Sequence, residues 1–142
     1  MFFSVVHPLI VHFPMALLVS GAMFRLFGKI QKEEAISDAG QFNLTFGFWT
    51  IPPAFLIGLL GKYEIEVKPS FQWFIDSHFL YASLAFIIFG IILLLDRLPK
   101  NNWTGLLHYL LCLAGLAAIL ATGFFGGELV HRFELPNFQS LN

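Results

Sequence analysis

The chain has little charge. Aspartate, glutamate, lysine and arginine make up 12% of its 142 residues, against about 25% in an average soluble domain. None of them falls between Met1 and Met23, Gln41 and Gly61, Ser77 and Leu95, or Asn101 and Gly127. The net charge is −1, which excludes the basic footprint of a nucleic-acid binder. The single cysteine, Cys112, excludes an internal disulfide and reads as a small apolar residue. A Gly-x-Ser-x-Gly elbow, a P-loop and a dinucleotide fingerprint are all missing. Nothing therefore points to hydrolysis or nucleotide chemistry. No basic stretch or small-residue cleavage site precedes Arg25, so the first apolar segment is expected to remain uncleaved.

What is abundant is apolar. Hydrophobic residues make up 57% of the chain, and mean hydropathy is +0.75. An uncharged apolar run of about 18 residues or more is long enough to cross a bilayer as a helix. The spacing predicts four such helices, over about 5–27, 41–61, 74–95 and 104–129, joined by short loops. Short loops between spans make neighbours antiparallel. The expected fold is all-α, a four-helix transmembrane up-down-up-down bundle, with residues 1–142 as one domain. A soluble bundle of this length could not cover four apolar helices.

Lysine and arginine orient it. Arg25, Lys29, Lys32, Arg97 and Lys100 fall on one side, and Lys62, Lys68 and Arg132 on the other. Positive charge accumulates in the cytoplasm, so both termini are expected outside a bacterial inner membrane. Trp49, Trp73 and Trp103 lie at or near helix ends, where aromatic belts form. Ala114, Ala118 and Thr122 form a small-residue stripe on the fourth helix, suited to close helix approach.

Histidine carries the chemistry. His7 and His12 begin the first helix, His78 begins the third and His131 follows the fourth. All four fall at the outer end, while His108 falls at the inner end and reads as structural. Met23 lies at a depth similar to that of His108 and could pair with it. At 1.5 Å of rise per residue, His12 lies roughly 6 Å above the midplane, His78 roughly 10 Å, His7 roughly 13 Å and His131 roughly 24 Å. Pro8 suits the first position of a helix and would push His7 out of the helical region. Pro14 frees the carbonyl of Ile10 and kinks the following turn. Pro52 and Pro53 predict a second kink near Trp49. His7 and His12 stand roughly 140° apart around a helix, so only one can face the bundle interior.

Small residues lie beneath the imidazoles: Ala16 and Ser20 below His12, Ala82 and Ala85 below His78, Gly127 and Gly123 below His131. Such grooves leave room for a flat apolar ligand, and two imidazoles on facing helices are a haem's axial ligation. The sequence reading is a b-type haem held by His12 and His78 as metal ligands, with His7 and His131 as supporting or alternative ligands. The protein would be an electron carrier or subunit without its own turnover, working between quinol and a c-type cytochrome. A cofactor-free scaffold or assembly subunit is the alternative, because small residues and histidines also serve packing and interfacial hydrogen bonds. A small proton or metal-ion conduit is a third.

The opening His7-Pro8-Leu9-Ile10-Val11-His12-Phe13-Pro14 resembles the HP-x-x-VHFP opening of a bacterial membrane family, domain of unknown function 2231. The resemblance extends over the glycines at 58 and 61, His78, and Gly126-Gly127-Glu128-Leu129-Val130. It implies four membrane spans. It also implies redox work, because the family's domain occurs attached to cytochrome c-like modules. In the family a tyrosine and then a histidine follow the glycine pair. Here His131 and Phe133 stand at those places, so the resemblance assigns His131 no role.

Overall fold

A computed structural model describes residues 2–64, 69–99 and 101–131. Glu66, Lys68, Lys100, Arg132 and Phe133 lie outside the described residues. Five helices form four spans: α1 (Phe2–Ile10) and α2 (His12–Gln31) together, then α3 (Glu34–Tyr63), α4 (Pro69–Leu95) and α5 (Asn102–His131). Each span is long and apolar enough to cross a bilayer, and only 11–22% of its most apolar stretch is buried inside the protein. The remaining apolar surface faces outward, which is stable against lipid and costly against water.

The first span begins earlier than its charge-free pattern suggests. α1 starts at Phe2, and Pro8 sits inside it, so His7 is helical. The Glu64 carboxylate explains this start. Its Oε2 accepts the Ser4 N–H at 2.9 Å and so satisfies a donor that a helix start leaves open. The break comes at Val11, between α1 and α2. Pro14 cannot donate to Ile10, the last residue of α1. Val11 N–H to the His7 carbonyl at 3.1 Å, and Met15 N–H to the Val11 carbonyl at 3.2 Å, carry the chain across. α3 stays continuous through Pro52 and Pro53.

The spans pair as two hairpins, α2 with α3 and α4 with α5, and their contacts are most numerous within each pair. Within the first hairpin α1 also packs on α3; between hairpins α2 meets α5, while α3 and α4 touch less. The first hairpin turns on Lys32, left-handed at φ 57°. Glu33 N–H returns to the Gly28 carbonyl at 2.9 Å, closing a Schellman-type end. Its helices lie too close for side chains at three points, one of them Gly21, where a Cβ would fall 2.8 Å from the Leu44 nitrogen. A Cβ on Gly28 would fall 2.6 Å from the Ser37 nitrogen, and one on Gly40 2.7 Å from the Arg25 nitrogen.

The two hairpins share a core around Phe89, Leu44, Ile92 and Cys112, all fully buried. Cys112 is thus the buried apolar residue that its surroundings in the sequence suggest. The buried face of α5 is Cys112, Gly115, Ala118 and Ile119. Ala114 is exposed, so the small-residue stripe is rotated from the one expected, and only Ala118 of that stripe is buried. Trp49, Trp73 and Trp103 are all exposed; Trp73 and Trp103 stand near the starts of α4 and α5, where an interface would lie, whereas Trp49 falls in the middle of α3 and not near its end.

Candidate functional site

Where α1 and α3 face α4 and α5, a groove of about 510 Å³ opens between the hairpins. Ala82, Ala85, Gly123 and Gly127 line it, as do all four histidines of this end. Ala16 does not; it is exposed.

Two of the histidines meet. The ring centres of His7 and His78 stand 6.2 Å apart with planes at 89°. His7 Nδ1 lies 3.1 Å from the Ala54 carbonyl oxygen on α3. His78 Nδ1 lies 3.0 Å from the Thr122 carbonyl oxygen on α5. A carbonyl only accepts, so each Nδ1 carries a proton and donates it, and in the neutral ring the lone pair is then on Nε2. Glycine makes room for both rings. A Cβ on Gly58 would fall 2.5 Å from His7 Cε1, and one on Gly126 3.1 Å from His78 Cε1. Gly127 faces open space.

The other two lie at the margins. His12 is exposed, and its Nδ1 donates to the Pro8 carbonyl at 2.5 Å. His131 is exposed as well. The ring contact of His78 is therefore with His7, where the sequence reading pairs it with His12. Helix start and helix break both contribute to this difference. Because α1 begins at Phe2, His7 is held in a helix that packs on α3. The roughly 140° between positions seven and twelve then turns His12 outward. Depth alone could not have chosen, since both lie within about 4 Å of His78 by helical rise.

A second polar cluster occupies the opposite end. Arg25 Nη2 pairs with Asp96 Oδ1, and Arg25 Nη1 donates to Ser37 Oγ at 3.0 Å. His108 Nε2 lies 3.2 Å from the same Asp96 oxygen and 3.0 Å from Arg25 Nη2. Its Nδ1 is 3.6 Å from Cys112 Sγ. Burial would raise the Asp96 carboxyl, but the His108 hydrogen bond and the Arg25 charge outweigh it and hold the group below the usual carboxylate range. The cluster joins α2, α3, α5 and the end of α4. Sequence reasoning treats His108 alone and misses the network. The available signal was a charge at the end of each of two spans, at a depth close to that of His108. Met23 is 46% exposed, while the ring nitrogens of His108 meet Asp96, Arg25 and Cys112.

The profile of a family described as predicted membrane protein (DUF2231) matches residues 4–137. No curated protein matches the chain, and no solved structure does.

Proposed function

The chain belongs to that family of membrane proteins, and we propose that it holds a b-type haem in the groove between its hairpins and passes electrons through it. One observation carries the reading. His7 and His78 come from different hairpins, meet in the groove, and each turns Nδ1 to a backbone carbonyl, which in the neutral ring leaves Nε2 as the acceptor. Metal-bound histidine has this arrangement, the second nitrogen donating to a fixed oxygen.

The residues fit the group in size as well. Two imidazoles that held one metal, each nitrogen about 2 Å from it, would have ring centres up to roughly 6 Å apart, and the observed separation of 6.2 Å is of that size. The glycines at 58 and 126 leave the space that the two imidazoles fill, and Gly127 faces open space.

Bound haem supplies one-electron redox chemistry. The chain's own residues do the rest. His7 and His78 would hold the haem iron in this reading. The carbonyls of Ala54 and Thr122 fix their orientation and raise their basicity, which favours the oxidised metal. The apolar walls keep water out. The protein is then an electron carrier or subunit, with quinol and a c-type cytochrome as partner classes and with no turnover of its own. It would lie in a bacterial inner membrane with the groove at the outer side.

The test is the absorption spectrum of the protein purified from haem-replete cells in mild detergent. A Soret band with sharp reduced α and β bands is expected. Colourless protein without bound transition metal overturns the reading. It would favour a cofactor-free scaffold, for which the same two hydrogen bonds serve only to tie helices together.

A further inference from the structure

Among the groove's described lining residues one carries a fixed charge: Lys62 is the only lysine or arginine, and none is a carboxylate. Lys62 stands in the last turn of α3 and is half-buried. Its Nζ lies 5.3 Å from the centre of the Phe79 ring, and that ring packs edge-on to His78 with centres 6.1 Å apart. The ammonium is thus held one aromatic ring away from the His7–His78 pair. A cation beside apolar walls is weakly screened, so it attracts an anion there far more strongly than in water. Its three N–H donors suit a carboxylate.

We infer that the groove takes an amphiphile with an apolar body and an acidic headgroup, and that Lys62 pairs with the acid. The inference rests on the groove being a ligand site. For a haem it sets the orientation, with the propionate edge toward Lys62. The same chemistry is offered by a free fatty acid, and the two are separable by experiment.

Full-length protein from haem-deficient cells, in mild detergent, is titrated with haemin and with haemin dimethyl ester, followed by the Soret shift. A parallel titration uses fluorescent cis-parinaric acid and its methyl ester. Wild type is expected to bind haemin about tenfold more tightly than the ester, the scale of one charge-assisted hydrogen bond. Lys62→Gln should lose that preference while binding the ester as well as wild type does, which also shows that the variant is folded. Lys62→Arg should keep the preference. Acid-selective, Lys62-dependent binding of parinaric acid with no haemin binding supports the inference and overturns the haem reading. Equal binding of acid and ester by wild type, or a preference that survives Lys62→Gln, overturns the inference and leaves the haem reading standing. Binding of neither probe overturns both.

Discussion

His7 and His78 face each other across the seam between two hairpins, ring centres 6.2 Å apart, and each is tethered within its own half. His7 bonds to Ala54 on α3 and His78 to Thr122 on α5. The rings are therefore oriented separately by two units whose closest packing is internal. A ligand bound by both would join the halves at the end where the protein leaves a groove.

His7→Ala and His78→Ala are each expected to abolish the six-coordinate haem spectrum, read as haem per protein after purification. His12→Ala should keep it, because that ring is exposed and bonded to Pro8. His108→Ala, at the other end, should leave it unchanged. Loss with His12→Ala and retention with His7→Ala would move the site to the pair that depth alone suggested.

Gly58→Ala tests how closely the groove fits His7. The added methyl would fall 2.5 Å from Cε1, so the ring must shift or turn. Overpacking of this kind costs about 1–3 kcal/mol. Folded protein with less haem, or with a shifted Soret maximum, is the expected result. An unchanged spectrum would show that His7 is free to move without consequence, contrary to a ligand role.

Much of the fold was legible because the bilayer imposes a simple rule. Backbone polar groups must be paired within the span, so uncharged runs of the right length become helices. The runs around Trp49, Ile87 and Leu116 could hardly be anything else. The ends were less legible, since they depend on partners distant in sequence. The start of α1 is held by Glu64, sixty residues away, and neither hydropathy nor Pro8 announces it. That displacement decided which histidine turned inward. The Arg25–Asp96–His108 network was hidden for a similar reason: charges at span ends usually read as orientation signals, and their pairing appears only when three spans come together.

Asp96→Asn should be the most destabilising single change at that end. It leaves Arg25 and His108 without their shared anion in a site where the Asp96 and Arg25 side chains are each 13% exposed. Removing one member of a fully buried pair costs about 3–5 kcal/mol, and this part-buried pair should lose a fraction of that. Thermal unfolding in detergent should show it. The pH dependence follows from sign. The folded carboxyl is depressed, so its contribution is complete above the ordinary carboxylate range and is lost as pH falls through and below that range. Wild type should lose stability there more steeply than Asp96→Asn, and parallel acid profiles would remove Asp96 from the account.

A topology reporter fused after Asn142 is expected to report the periplasm. The prediction rests on five lysines and arginines against three across the loops, a bias that sets orientation when it lies close to span ends. Cytoplasmic activity would reverse the bundle and place the histidine groove at the inner face, with its geometry intact.

Pro14→Ala reaches the groove through the backbone. Proline at this position cannot donate to Ile10, and the first span breaks at Val11, three residues before it. Alanine restores the donor and allows α1 and α2 to join as one continuous helix. His7 lies on the far side of that break from the core residue Leu18, so straightening turns His7 relative to the rest of the bundle while leaving His78 and Thr122 in place. The expected result is a folded protein whose helix content is equal to or above that of wild type and whose haem content falls, with the loss traced to His7. Circular dichroism and haem per protein, measured on the same sample, separate this from unfolding. Full haem retention would mean that the break is tolerated by the fold and is not what aims His7 into the groove.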